Sequence, residues 1–145
     1  MKLFTIGFTK TSAEHFFARL SRAKVRTLVD VRLNNVSQLA GFAKKDDLRY
    51  FAASIGGIGY DHRPELAPTQ EMLDAYRKGE GKGDWPAYAR RFRDLIARRR
   101  IEAIDRSALD GACLLCSEDT PHHCHRRLVA EYLRDKWGDV EIEHL

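Results

Sequence analysis

The densest chemistry in the chain lies in Cys116-Ser117-Glu118-Asp119-Thr120-Pro121-His122-His123-Cys124-His125-Arg126-Arg127, where thiols, imidazoles, carboxylates and guanidiniums crowd into one segment. Thr120 and Pro121 suit the N-cap and first position of a helix reaching about Lys136. The free N–H groups and positive dipole end of such a start favour an anion. Cys124, about one turn in, would have its thiol pKa lowered by that dipole and its basic neighbours. Arg126 can grip phosphate or carboxylate through two parallel hydrogen bonds. Glu118 suits a general base or an anchor for His125 or Arg126, and Cys124 or His125 can attack or assist. The bland alternative makes Cys124 a small core residue, Glu118–Arg126 an ion pair, and His122 and His123 solvent-facing residues of the first turn.

The same segment admits a metal. Cys113 and Cys116 spell C-x-x-C, but on an extended strand residues three apart face opposite sides and stand roughly 10 Å apart, so they cannot share an ion. Cys116 and Cys124 with a nearby histidine can, with zinc or iron as the ion, although the spacing follows no standard paired pattern. A metal-dependent or thiol-sensing binding module built on Cys116–His125 is therefore an alternative to an enzyme.

A second cluster is Asp30-Val31-Arg32, followed by Asn34, Asn35 and Ser37. Asp30 and Arg32 flank one residue at a strand end and project to the same side. Asp30 suits a general base or a ribose hydroxyl and Arg32 an anion, unless the two satisfy each other. Gly7 and Thr9 end the first strand and join the candidate binding residues. Tyr60 and His62 are weaker candidates.

These groups need elements to position them. Leu3–Ile6 is a short strand, and a capping box at Thr11 and Glu14 opens a helix burying Ala13, Phe16, Phe17 and Leu20. Val25–Val31 is a nearly continuous apolar strand, of the kind covered on both faces of a parallel sheet. After the loop Arg32–Lys45, a helix from Asp46 or Asp47 buries Leu48, Phe51, Ala52 and Ile55 and stops at Gly56-Gly57. Ile58–His62 is a strand, Thr69–Arg77 a helix, and Lys78–Asp84 a glycine-rich loop. A helix follows with Pro86 in its first turn and a stripe of Trp85, Tyr88, Ala89, Phe92, Leu95 and Ile96. Ala112–Cys116 and Val140–His144 complete the strands. The alternation predicts one three-layer, Rossmann-like α/β domain over residues 1–145, with an open, mostly parallel sheet of about five strands flanked by helices. In such sheets ligands collect beyond the carboxyl ends of the strands, where all the clusters above fall.

Two patterns carry less. Gly56-Gly57-Ile58-Gly59 follows a helix and enters a strand, the reverse of a phosphate loop. The six arginines within Arg90–Arg100 read as a solvated helix face, with a nucleic-acid accessory domain as the alternative. With 145 residues, 43% hydrophobic and 32% charged, the chain is globular rather than fibrous or disordered. A net charge of +4 permits an anionic ligand without demanding one. No apolar run is long enough to span a membrane and no secretory leader is evident, so a soluble cytoplasmic protein is expected. Three clustered cysteines argue against a disulfide framework.

Thr5-Ile6-Gly7, Asp30-Val31-Arg32, Phe42, Leu48, Tyr60, Leu66, and above all Leu114-Leu115-Cys116-Ser117-Glu118 with Cys124-His125-Arg126, resemble the domain of unknown function 488 family across essentially the whole chain. Thr9 stands where that family often has serine, Asn35 where it has proline, and Ala67 where glycine is common. The resemblance implies a compact α/β domain without a settled activity. It marks Gly7, Asp30, Arg32, Cys116, Glu118, Cys124, His125 and Arg126 as positions of interest. The expectation from these readings is a hydrolase or transferase, or a former enzyme, taking a small phosphorylated, nucleotide-like anion. Arg32, Arg126, Gly7 and Thr9 would bind it, and Asp30, Glu118, Cys124 and His125 would act on it.

Overall fold

The structure, a computed structural model, describes residues 1–36 and 41–145, so Ser37 lies outside the described residues. Strands β1 (Lys2–Gly7), β2 (Thr27–Asp30), β3 (Gly59–His62), β4 (Ala112–Cys116) and β5 (Glu141–His144) form one sheet in the order β3-β2-β4-β1-β5. Every neighbouring pair is parallel. The helices are α1 (Ala13–Arg22), α2 (Lys45–Gly56), α3 (Gln70–Arg77), α4 (Trp85–Arg99), α5 (Arg106–Leu109) and α6 (His125–Trp137). A three-layer α/β domain with an all-parallel sheet is the architecture that the strand–helix alternation predicts.

The alternation along β4 shows how the layers are made. Cys113 and Leu115 join Phe16, Phe17 and Leu20 of α1 and Leu48 and Ala52 of α2 in one core. Ala112, Leu114 and Cys116 join Tyr88, Phe92 and Ile96 of α4 and Leu128, Val129 and Leu133 of α6 in the other. All five residues of β4 are buried, as a central strand covered on both faces requires. At the β3 edge of the sheet cover is thinner. Leu48 and Ala52 of α2 reach the core, whereas Ile55, expected inside, is 56% exposed. Gly57, at φ +62°, closes α2 in the left-handed conformation that glycine accepts most readily.

Local chemistry adjusts several boundaries. Ser12, not Thr11, caps α1, its hydroxyl accepting from the His15 N–H at 3.1 Å. Thr69 caps α3 in the same way, through the Met72 N–H. The four-residue α5 and the short 3-10 turns at Gly41–Ala43, Pro64–Leu66 and Ile101–Ala103 are too brief to leave a periodic signal. No helix among the described residues is long and apolar enough to cross a membrane.

The topology also fixes where a ligand can enter. From β2 the chain passes through α2 to β3, on the face that α1 shares. From β4 it passes through α6, on the opposite face, over to β5. The two connections leave adjacent strands in opposite directions, so a crevice opens between the carboxyl ends of β2 and β4.

Candidate functional site

At the β2 end, Asp30 is fully buried and Arg32 is 4% exposed. Arg32 donates Nε to Asp30 Oδ1 at 2.9 Å and Nη2 to Oδ2 at 2.8 Å, a bidentate pair, and its backbone N–H adds a bond to Oδ1 at 3.1 Å. Tyr60 donates its hydroxyl to Asp30 Oδ2, and Asn35 Nδ2 donates to the Tyr60 oxygen at 3.1 Å. His62 Nε2 donates to the Arg32 carbonyl at 2.8 Å. Asp30, expected to move protons, is thus occupied by donors and lies behind Arg32 rather than on the cavity wall. Its work here is to aim the guanidinium.

Burial is the largest influence on the Asp30 carboxyl and by itself would raise its pKa. The donors and charge of Arg32, with Tyr60 behind them, outweigh it and hold the carboxyl below its usual range. A carboxyl more acidic in the folded than in the unfolded state adds stability above the unfolded pKa of about 3.9 and loses it as pH falls through the folded value. Urea unfolding of the wild type is therefore expected to weaken as pH drops below about 4. Part of that fall should be absent in Asp30→Asn; parallel pH profiles for the two proteins would contradict the assignment.

Arg32 lines a cavity of about 290 Å³ in the crevice. Its guanidinium lies 5.1 Å from the centre of the Phe8 ring. Nη1, left over from the bidentate pair, is buried and has no hydrogen-bond partner among the described residues.

The β4 end supplies the opposite wall. Thr9 donates both its backbone N–H and its hydroxyl to the Ser117 carbonyl, the former at 3.0 Å. Arg126, 2% exposed, donates Nη1 to the Glu118 carbonyl at 2.7 Å and Nε to Thr5 Oγ1 at 3.3 Å. A Cβ on Gly7 would lie 1.5 Å from the Glu118 oxygen, so only glycine lets the loop settle so low over β1. Gly7, Thr9 and Arg126, expected to touch ligand, instead seat the loop that carries the site, and none of them lines the cavity. Arg126 bonds the Glu118 backbone rather than its carboxylate, which is exposed at the cavity edge.

Helix α6 starts at His125, with Cys124 as an extended N-cap, rather than at Pro121. Ring stacking accounts for the longer loop. His122 stacks on His123 at 4.4 Å, and His123 on Trp85 of α4 at 5.0 Å, which draws the segment away from the helix axis. Trp85 stacks in turn on Tyr88 at 5.4 Å, and Phe92 meets the His125 ring edge-on at 5.4 Å. One face of α4 thereby orients both the loop and the imidazole.

Cys116, Cys124 and His125 are all buried, with one ligand-type atom from each lying within 4.8 Å of the others. His125 Nε2 donates to the Val31 carbonyl at 2.7 Å, which fixes the tautomer, and Cys116 Sγ lies across the ring, 3.6 Å from Nδ1 and 3.8 Å from Nε2. A hydrogen bond from the Cys124 thiol lowers the Cys116 pKa; burial opposes this and the Arg126 charge assists it. Burial, then the Cys116 sulfur, pushes Cys124 well up, so Cys116 is the more acidic thiol of the pair. Cys113 points into the opposite core, as the strand alternation predicts.

Arg32 from β2 and Cys116, Ser117, Glu118, Cys124 and His125 from β4 and its loop meet on this one cavity. The rest of its wall brings an aromatic and basic group, Tyr76 and Arg77 of α3, Trp85 and Tyr88 of α4, and His123, together with Leu33, Asn34, Pro68 and Leu73. The helical stripe identifies Trp85 and Tyr88 only as core residues. A tryptophan at a helix start beside a glycine-rich loop is the one local sign that its ring faces a cleft.

Fold and site together define an open parallel α/β domain with a thiol–imidazole cluster and a braced arginine at its topological switch point. A family model described as domain of unknown function DUF488 matches residues 12–133, and the chain belongs to that family. The match takes in Asp30, Arg32, Cys116, Glu118, Cys124, His125 and Arg126, but not Gly7 or Thr9, so it covers less of the chain than the resemblance implies. No curated protein and no solved structure matches the chain.

Proposed function

We propose that this protein is an enzyme that binds a small anionic, ring-bearing ligand, of the phosphorylated nucleotide class, in the crevice and hydrolyses it or transfers a group from it. The observation that carries the reading is Arg32: a buried guanidinium, held by Asp30 on one edge, whose Nη1 has no hydrogen-bond partner among the described residues, beside a cavity that Arg32 lines. A bound phosphate or carboxylate oxygen satisfies such a group. Arg77, on the exposed rim, adds a second positive charge. Tyr76, Trp85, Tyr88 and His123 give the wall an aromatic surface against which a planar base can pack. The volume sits at the small end of the roughly 300–1,000 Å³ usual for ligand pockets, which suits one ring and one phosphate rather than a dinucleotide. Cys116, Cys124 and His125 are the reactive groups that face it. Three free thiols suit a reducing compartment such as the cytoplasm. Of the arginines on α4, Arg91 and Arg93 pair with Glu71 and Glu131, and Arg99 donates to the Glu65 and Ala67 carbonyls, so that face has structural work apart from nucleic acid.

The test uses inorganic phosphate, a nucleoside and its monophosphate as probes, in a Trp137→Phe background that leaves Trp85 as the only tryptophan. The monophosphate is expected to quench Trp85 fluorescence and raise the melting temperature, with the nucleoside and phosphate each weaker. Arg32→Lys should weaken binding at least tenfold, and Arg77→Ala, at an exposed position, several-fold with the fold untouched. No response to any probe at millimolar concentration, or equal responses in both variants, would overturn the reading.

A further inference from the structure

We infer that Cys116 and Cys124 form a redox-active dithiol, in which Cys116 reduces a small hydroperoxide and Cys124 resolves the product into a disulfide. The inference stands on the pair's own geometry and needs no anion in the crevice. The two sulfurs lie within 4.8 Å of each other. A disulfide bond is about 2.03–2.05 Å long, so less than about 3 Å of combined travel joins them. The Cys124 thiol already donates to Cys116 Sγ, so the two side chains face each other.

A second, independent observation is how differently the two sulfurs are held. Cys116 ends β4, the middle strand of the sheet. The His125 ring, tethered to the Val31 carbonyl, backs its sulfur at 3.6 Å from Nδ1 and 3.8 Å from Nε2. Cys124 is the N-cap of α6, with extended backbone at φ −138° and ψ 137°, and its side chain caps no helix N–H. It closes the irregular loop that begins at Ser117, which is where a short approach can be absorbed. Chemistry separates the two as well. The hydrogen bond from Cys124 and the charge of Arg126 make Cys116 the more acidic thiol, and burial holds Cys124 high. That is the division between an attacking cysteine and the resolving one beside it.

Access comes through the cavity that both residues line; at 5% and 2% exposure they admit a molecule the size of hydrogen peroxide and turn away bulky reagents. Cys116 Sγ gives up its proton and attacks one peroxide oxygen. The O–O bond breaks, the other oxygen leaves with that proton as water, and the sulfur becomes a sulfenic acid. The Cys124 sulfur then attacks the Cys116 sulfur: the S–S bond forms, the S–O bond breaks, and a second water leaves with the Cys124 proton. Two thiols are oxidised to one disulfide while one peroxide is reduced to two waters. A dithiol reductant restores the pair by exchange. Cys113 has no part in it, being fully buried in the opposite core with its thiol pushed up by that burial.

The experiment treats the full, reduced chain with one equivalent of hydrogen peroxide, with a chelator present, and counts thiols. The wild type is expected to lose two of its three free thiols and to recover both with dithiothreitol. Digestion after glutamate, which cuts at Glu118 between the two cysteines, should then yield a cross-linked pair of peptides. Cys113→Ser should keep the cross-link. Cys124→Ser should stop at a Cys116 sulfenic acid that dimedone traps, and Cys116→Ser should slow thiol loss about tenfold or more. A wild type that keeps all three thiols, or a cross-link that runs through Cys113, overturns the pair. So does a dimedone adduct on wild-type Cys116 without any cross-link, because Cys124 then resolves nothing. Should a serine variant fail to fold, the wild-type digest still decides when repeated on the urea-unfolded chain. The native protein should form the bond roughly tenfold faster; equal rates would mean that nearness in sequence, not the fold, makes it.

Discussion

Asp30→Ala is expected to lower the unfolding free energy by about 3–5 kcal/mol, the cost of stranding one partner of a buried ion pair. The carboxylate is completely buried and receives Nε, Nη2 and the backbone N–H of Arg32, with Tyr60 on its outer oxygen. Removing it leaves a guanidinium that is 4% exposed without its counter-charge. Much of the loss therefore comes from the cation left behind rather than from the bond itself. A double replacement, Asp30→Leu with Arg32→Met, should cost less than Asp30→Ala alone, because apolar groups of similar volume need no partner. Urea denaturation of the three proteins reads this directly. A loss below about 1 kcal/mol for Asp30→Ala, the scale of an exposed pair, would show that the pair does not brace the site. The same substitution frees Arg32 to swing, so any anion affinity in the crevice should fall with it.

How much of this was visible in the residues alone depended on whether a signal was local. The stripe on α4 and the all-apolar run of β4 are periodic over one element, and both stand where the pattern predicts. Asp30 and Arg32 sharing a side follows from strand geometry, and their bidentate pairing is the structural alternative weighed for them. Thr120 and Pro121 are good caps in isolation and so predict too early a start for α6, whereas stacking of His123 on Trp85, a distant residue in sequence, holds the loop outside the helix. The sheet order belongs to the same class: β1 pairs with β4 and β5, and no turn signal joins them. The residue types mark Cys116 as a metal candidate but do not mark it as the more acidic of the two thiols. Its acidity depends on Cys124 and Arg126 meeting it in space. Arg126 and Thr9 stand out as polar residues near a strand end, but neither spacing nor type could say that backbone carbonyls take their hydrogen bonds.

Gly7→Ala should be the most damaging conservative change in the chain outside the Asp30 pair. Gly7 has no positive φ, so alanine meets no backbone strain there; the cost is steric. The added methyl carbon would stand 1.5 Å from the Glu118 oxygen, 2.6 Å from its carbonyl carbon and 3.2 Å from Arg126 Nη1. Two of these obstacles are backbone, and neither can rotate away. The carbonyl itself is held at 2.7 Å by Arg126, and the preceding one by Thr9. Moving the loop far enough breaks the Arg126 bond and strands a buried guanidinium nitrogen, at about 1.5–3 kcal/mol for a bond to a charged group. Overpacking adds about 1–3 kcal/mol, so a total of about 3 kcal/mol or more is expected. Gly41→Ala, which meets nothing within 4 Å among the described residues, is the control and should change stability little. The displaced loop also carries Cys124 and His125, so the Cys116–His125 approach should open in step with the loss of stability. Double replacement with Arg126→Met then discriminates: if the two residues hold the loop together, the second change costs much less in the Gly7→Ala background than in the wild type. Strict additivity would mean that the loop is seated by something else.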